Sequence, residues 1–358
     1  MREILDSIES WQSQGHGVAV ATVVKVWGSA PRPPGSKMAI SSHGAMAGSV
    51  SGGCVEGAVF EEAQAVLASG RPKLLSFGVS DETAWTVGLS CGGEIQVYVE
   101  ALAAGEGNGP GSLDIYQALD AALGEERFAG LATVVEGPGT GRQVFLQPGR
   151  ETLGSLGSEA LDQEVRRRMP ERFEELDAQR FSVETELGPS EVFLELHGPR
   201  PKLILVGAVH VAIPLISMAR TAGFRTLVID PRGAFATPER FAHADELIRE
   251  WPQDALARIP LNEATYVATL SHDPKIDLPA VAAVLRQPVR YIGTLGSKKT
   301  HGKRIAALKE QGFSEEEIGR IHAPIGLDLG GRTPEEIAVA ILAQVVAAAH
   351  GKASRERG

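Results

Sequence analysis

The chain carries two cysteines, and each stands in a glycine-rich frame: Ser51-Gly52-Gly53-Cys54-Val55-Glu56 and Ser90-Cys91-Gly92-Gly93-Glu94. Glycine pairs beside a thiol let the backbone turn sharply and approach a ligand closely, a freedom that a core cysteine does not need. An amphipathic run over 56–67, closed by Gly70, follows Cys54 at once. This places Cys54 at a helix N-terminus, where the dipole favours a thiolate. Cys54 and Cys91 are thus the candidate reactive groups, with Gly52 and Gly53 giving close backbone approach. The plainer reading of each thiol is a small buried residue at a crowded turn. No histidine stands at ligand spacing from either, so the pair by itself does not make a metal site.

A second set of chemical groups lies at the ends of short apolar runs in the second half. These are Gly207 to His210, Asp230, Ser271-His272-Asp273 and the turn Gly293-Thr294-Leu295-Gly296-Ser297-Lys298-Lys299. In parallel α/β sheets, ligands bind beyond the carboxyl ends of the strands, which is where these residues fall. Asp230 occupies the position of a ribose-binding carboxylate. Gly296, Ser297 and Lys298 form a turn into a helix, an anion site built from backbone N–H groups and an ammonium. His210 and His272 are loop histidines that serve either function or local hydrogen bonding. The phosphate loop reads Gly207-Ala208-Val209-His210-Val211-Ala212, with Val209 where G-x-G-x-x-G carries its second glycine. A β-branched side chain there obstructs a pyrophosphate, which argues against ordinary NAD binding.

The elements that must hold these groups fall into two domains, 1–198 and 199–358, divided at His197-Gly198-Pro199-Arg200-Pro201. Before the boundary, strands are expected at 17–26, 38–41, 45–51, 73–78, 94–101, 129–136, 143–147 and 191–196. Helices are expected at 1–14, 56–67, 113–123 and 158–176, giving a mixed α/β domain. No internal repeat is read beyond the two cysteine frames. After the boundary, apolar strand, loop and helix alternate, which predicts a doubly wound parallel sheet. Helix starts are marked by Ser314 with Glu317 and by Thr333-Pro334-Glu335-Glu336.

Composition limits the function classes. A chain of 358 residues with a formal net charge of -10 is not a general nucleic-acid or anionic-membrane binder. Its most apolar stretch, 337–348, is too short to span a bilayer. No secretory start is read, and two cysteines do not make a disulfide framework, so a cytoplasmic protein is expected.

Gly28-Ser29-Ala30-Pro31-Arg32, the run from Gly48 to Glu56, and Cys91-Gly92-Gly93 resemble the amino-terminal motifs of the XdhC/CoxI family. The stretches Gly207–Val211, Ser271-His272-Asp273, Tyr291 to Ser297, His322 to Asp328 and Arg332 to Glu336 resemble that family's Rossmann-type domain. The resemblance implies an accessory factor that binds the molybdenum cofactor (molybdopterin), supports its sulfuration and helps insert it into a xanthine dehydrogenase-type apo molybdenum hydroxylase. A cysteine desulfurase is a further implied partner, and a homodimer would let the cysteine frames of one protomer face the Rossmann edge of the other. Arg32 and Lys37 in the proline-glycine loop, or the Gly296 to Lys299 turn, would then hold the cofactor phosphate. Cys54 or Cys91 would supply a soft ligand near the metal. Two other readings stand beside this one: an NAD(P)-dependent oxidoreductase with Asp230 on the ribose and His272 or Asp273 as acid/base, and a scaffold that only recruits partners.

Overall fold

The computed structural model describes residues 2–28, 32–78, 93–105, 109–169 and 178–352. They form two compact units, Met1–Pro199 and Arg200–Gly358.

In chain order, the first unit begins with α1 (Arg2–Ser13), β1 (Val18–Trp27), β2 (Lys37–Ser41), β3 (Met46–Gly48), α2 (Glu56–Ser69), β4 (Lys73–Phe77) and β5 (Glu94–Ala101). It continues with α3 (Ser112–Gly124), β6 (Ala129–Glu136), β7 (Gln143–Leu146), β8 (Leu153–Gly154), α4 (Glu159–Arg168), β9 (Gln179–Thr185) and β10 (Gly188–His197). β1 reads as a continuous apolar run because both of its faces are covered. Ala19, Ala21 and Val23 pack on Val59, Ala63 and Val66 of α2, while Val18 and Val20 pack with Leu131 and Phe145 of the second sheet. Gly70 closes α2 in the left-handed conformation, at φ 67°, as a C-terminal glycine does.

The two sheets have the same plan. Their strand orders are β3-β2-β1-β5-β4 and β8-β7-β6-β10-β9, each antiparallel throughout. The unit is therefore an internal duplication, α1–β5 followed by α3–β10, which corrects the reading of no internal repeat. Local sequence echoes it: Ala21-Thr22-Val23-Val24 in β1 matches Ala132-Thr133-Val134-Val135 in β6, and Val97-Tyr98-Val99-Glu100 parallels Val192-Phe193-Leu194-Glu195. Sterics echo it too. A Cβ on Gly48 would collide with the Lys37 carbonyl and Ile4, and one on Gly154 would collide with the Gln143 carbonyl and crowd Ile115. Where the halves meet, Val24 and Tyr98 pack against Val135 and Phe193, the matching pair from the other half.

The second unit contains β11 (Lys202–Val206), α5 (Ala212–Thr221), β12 (Arg225–Ile229), β13 (Glu246–Ile248), α6 (Pro252–Leu256), β14 (Thr265–Thr269) and α7 (Pro274–Val284). It ends with β15 (Tyr291–Thr294), α8 (Lys298–Glu310), α9 (Glu315–Ile318), β16 (Ile321–His322) and α10 (Pro334–Ala349). The six strands are parallel in the order β13-β12-β11-β14-β15-β16, the doubly wound order with its switch point between β11 and β14. One face is covered by α5 and α10 and the other by α6 to α9. The expected capping boxes form at Ser314/Glu317 and Thr333/Glu336.

Candidate functional site

Cys54 is exposed and sits two residues before the first residue of α2. What fixes its loop is Glu56, which the sequence reading did not count among the site residues. The Glu56 carboxylate accepts hydrogen bonds from the Ser49 hydroxyl (2.7 Å) and from the amides of Val50 (3.3 Å), Ser51 (2.8 Å), Gly52 (3.0 Å) and Gly53 (2.9 Å). The Ser51 hydroxyl also donates to it, and accepts in turn from the amides of Cys54 and Val55, each at 3.0 Å. Wrapping successive amides around one carboxylate requires left-handed backbone at Gly52 (φ 81°) and Gly53 (φ 122°), which explains both glycines. Burial alone would raise the Glu56 pKa; the Ser51 and Ser49 hydrogen bonds override it and hold it down at about 2. The acid at the start of an apolar helix run, seven residues after a serine, was the signal in the sequence.

The duplicated half shows what this loop has gained. There Ser155 and the Leu156 amide donate to Asp162, with the same seven-residue spacing between serine and acid as in Ser49–Glu56. In that half, Ala160 stands where Cys54 stands, and the helix α4 already begins at Glu159. In the first half the two left-handed glycines unwind the equivalent turn, and the thiol is presented on the unwound segment.

Arg32 joins this loop, donating from Nε to the Ser49 carbonyl at 3.1 Å. Lys37 does not act as a loop cation. It opens β2 with its side chain in the interior, its ammonium 2.9 Å from Glu195 Oε2 and 2.8 Å from Thr22 Oγ1. Charge pairing and the strand pleat turn it inward, so the anion role expected for it is corrected. Cys91 lies outside the described residues. The structure thus brings together Arg32, Gly52, Gly53 and Cys54.

The second unit gathers its expected residues at the carboxyl ends of the parallel strands. Gly207 (φ 113°) ends β11 so close to β14 that a Cβ would lie 2.7 Å from the Ser271 amide. His210 and His272 are exposed, and His272 holds a left-handed φ of 60°, a costly conformation outside glycine. Gly296 (φ 136°) leads into Ser297, which caps α8 by accepting from the Thr300 amide at 3.2 Å, and Lys298 is exposed in the first turn. Asp230 departs from its expected role. It is fully buried and accepts from the Ala208 amide (2.7 Å), the Arg232 amide (2.9 Å) and the Arg232 guanidinium (2.9 and 2.8 Å). Burial would raise its pKa, but the Arg232 and Ala208 bonds hold it below the ordinary carboxylate range. A carboxylate so engaged clamps the loop instead of facing a ribose.

Behind this edge lies a buried polar layer in which Ser271 and Thr294, expected at the strand ends, are joined by Asp277 and Arg304, which the sequence reading missed. Ser271 Oγ donates to Asp277 at 2.6 Å, and the Arg304 guanidinium donates to Thr294 Oγ1 at 2.7 Å. Burial raises the Asp277 pKa despite the Ser271 bond and the Arg304 charge, and burial lowers that of Arg304. Such residues sit among apolar neighbours on α7 and α8, where hydrophobic pattern alone does not mark them.

Two family models match the chain: the XdhC and CoxI family over residues 11–78, and the XdhC Rossmann domain over residues 203–345. The chain belongs to the XdhC/CoxI family. One relative, a probable xanthine dehydrogenase subunit from Bacillus subtilis (strain 168), is 28% identical over 333 residues, 91% of this chain and 92% of its own. The molybdenum cofactor insertion chaperone PaoD of Escherichia coli (strain K12) is 27% identical over 334 residues, 92% of this chain and 83% of its own. A crystal structure of a xanthine dehydrogenase from Bacillus halodurans superposes with a TM-score of 0.75 at 25% identity, covering 97% of this chain and 96% of that one. This XdhC/CoxI member has no helix, among the described residues, long and apolar enough to cross a membrane.

Proposed function

We propose that this XdhC/CoxI protein is a molybdenum cofactor-binding accessory factor that supports sulfuration of the cofactor and its insertion into xanthine dehydrogenase-type molybdenum hydroxylases. The observation that carries the reading is the alignment, along nearly the whole chain, with a molybdenum cofactor insertion chaperone. The Cys54 loop suits such cargo. An exposed thiol on a loop locked by Glu56 can meet a sulfur-bound metal without reorganisation, since thiolates suit soft centres. Arg32, tied to the same loop, offers a guanidinium for an anionic part of the cargo. In this reading a cysteine desulfurase and the apo hydroxylase are the partners, and the factor works as a homodimer in the cell interior.

Co-production with a molybdenum hydroxylase tests it. The active, sulfurated fraction of the hydroxylase rises with the factor and falls back with Cys54→Ala; equal activity with and without the factor overturns the reading. A Cys54→Ala variant with full maturation activity would instead favour a recruiting scaffold. No observation favours the NAD(P)-dependent oxidoreductase. Val209 occupies the second-glycine position and Asp230 is fully engaged, so a titration with NAD or NADP is expected to show no binding.

A further inference from the structure

Between Glu336 and His350, α10 is apolar on every side but for one residue, Gln344. That side chain points inward, accepting from the Tyr291 hydroxyl at 2.7 Å and the Gly326 amide at 2.8 Å. Ala338, Ile341, Val345 and Ala348 fill the core shared with α5. The outer side carries Val339 and Val346, 46% and 36% exposed, with Leu342 and Ala343 half-buried between them. Leu327 and Leu329, both exposed, widen the patch beside the first turns, where the Leu327 amide donates to the Ala340 carbonyl at 3.0 Å. A surface helix keeps a polar face toward water, and a helix apolar all round is an enclosed one. A contiguous apolar surface of this kind marks an interaction site.

The spacing along the outer side selects the partner. A two-fold axis between Leu342 and Ala343 lays α10 antiparallel on a copy of itself, and Val339 and Val346 exchange places. The same rotation sets Glu335, at the start of the helix, beside His350 and Lys352 of the second copy, at its end. Glu335, His350 and Lys352 are exposed and make no ion pair among the described residues. Opposite charges and antiparallel helix dipoles then meet at both ends. A parallel pairing would instead set Glu335 on Glu335 and Lys352 on Lys352.

We propose that α10 is a homodimer interface, packed antiparallel on the α10 of a second copy of this chain about a two-fold axis at Leu342 and Ala343. Ala343 lets the helices approach, the valines close the apolar strip on either side, and the charged ends form its rim. The contact is isologous, so it is complete at two copies. α10 runs against the strands: ahead of it the Ile325 amide donates to the Thr294 carbonyl at the end of β15, and Arg290, just before β15, donates to the Ala349 carbonyl. The two-fold therefore puts the carboxyl edges of the two parallel sheets at opposite ends of the paired helices, about 24 Å apart along their axes. Each edge then receives its ligand alone. A homodimer is already expected from the family; the helix supplies its surface and symmetry, and neither depends on which cofactor the protein carries.

Sedimentation velocity of the full-length protein over a range of concentrations tests this. One helix pair is smaller than a standard interface, so wild-type protein is expected to pass from monomer to dimer and to be mainly dimeric at about 100 μM. Val339→Glu and Val346→Lys each bury an unmatched charge twice per dimer, and each is expected to raise the dissociation constant about a hundredfold or more. Val339→Glu with Val346→Lys in one chain restores the dimer, because each new carboxylate then meets a new ammonium across the axis. Should a single variant unfold, Ala343→Cys keeps the test open: oxidation is expected to link two copies through position 343, identified by peptide mass. Wild-type protein that is monomeric at about 100 μM leaves the face to a different protein and overturns the proposal. So do single variants that dimerise like the wild type, which put the two-fold elsewhere, and a double variant that stays monomeric, which rules out the antiparallel register. Sedimentation needs neither cofactor nor hydroxylase, so its failure leaves the maturation assay standing, and a failed maturation assay leaves the dimer standing.

Discussion

Single carboxylates, their partners fixed by the backbone, hold the first unit's polar groups in place. Glu56 has a pKa depressed from 4.5 to about 2. Its hydrogen bonds therefore contribute stability that is present above about pH 4.5 and lost as pH falls through 2. Discounted for partial exposure, the contribution is about 2 kcal/mol. Glu56→Gln is expected to lower stability in urea at pH 7 by that amount and to flatten the acid limb of the pH profile. Glu100 has the opposite sign: its pKa is raised to about 7, so its contribution is present below 4.5 and fades as pH rises through 7. Glu100→Gln should remove that decline. Lys37 and Glu195 form a buried pair, 1% and 4% exposed. Lys37→Met leaves an unpaired buried charge and should cost about 3–5 kcal/mol, whereas Lys37→Met with Glu195→Leu should recover most of it. A double-mutant cycle by chemical denaturation measures the difference.

At the scale of elements, most of the fold was legible. β5 and β6 occupy the expected spans, since apolar content and flanking turns mark them, and the capping residues locate α9 and α10. Other elements were not legible. β8 and β16 are two residues each and carry no period, and β9 is only half-buried along its length. The duplication escaped because, outside the shared Ala-Thr-Val-Val run, equivalent positions keep their character and lose identity, as with Val50 and Leu156 or Glu56 and Asp162. In the site, glycine frames revealed the Cys54 loop, but nothing local told that Lys37 turns inward or that Asp230 is claimed by Arg232. Those depend on strands far apart in sequence. The duplication makes its own prediction. Gly48 and Gly154 have left-handed φ values of 78° and 85° and abut equivalent carbonyls. Gly48→Ala and Gly154→Ala should each cost about 2–4 kcal/mol, by similar amounts, in thermal or chemical unfolding. Gly53, with open space around it, should suffer only the backbone cost of its φ of 122°.

At the scale of the whole molecule, the protein joins a duplicated sheet pair, with one half specialised for a presented thiol, to a doubly wound domain whose phosphate loop has departed from the dinucleotide pattern. Both features fit the proposed accessory role better than hydride transfer, which needs the dinucleotide loop that Val209 interrupts. In the function proposed above, the protein holds the molybdenum cofactor and Cys54 helps hold it. Mass spectrometry of the oxidised pterin released from protein purified out of molybdenum-replete cells, with molybdenum counted in the same sample, tests this most directly. Wild-type protein is expected to release a molybdopterin product and to carry molybdenum, and Cys54→Ala protein of unchanged stability to lose most of both. Wild-type protein that releases no pterin, or a Cys54→Ala variant that retains a full complement, would contradict it.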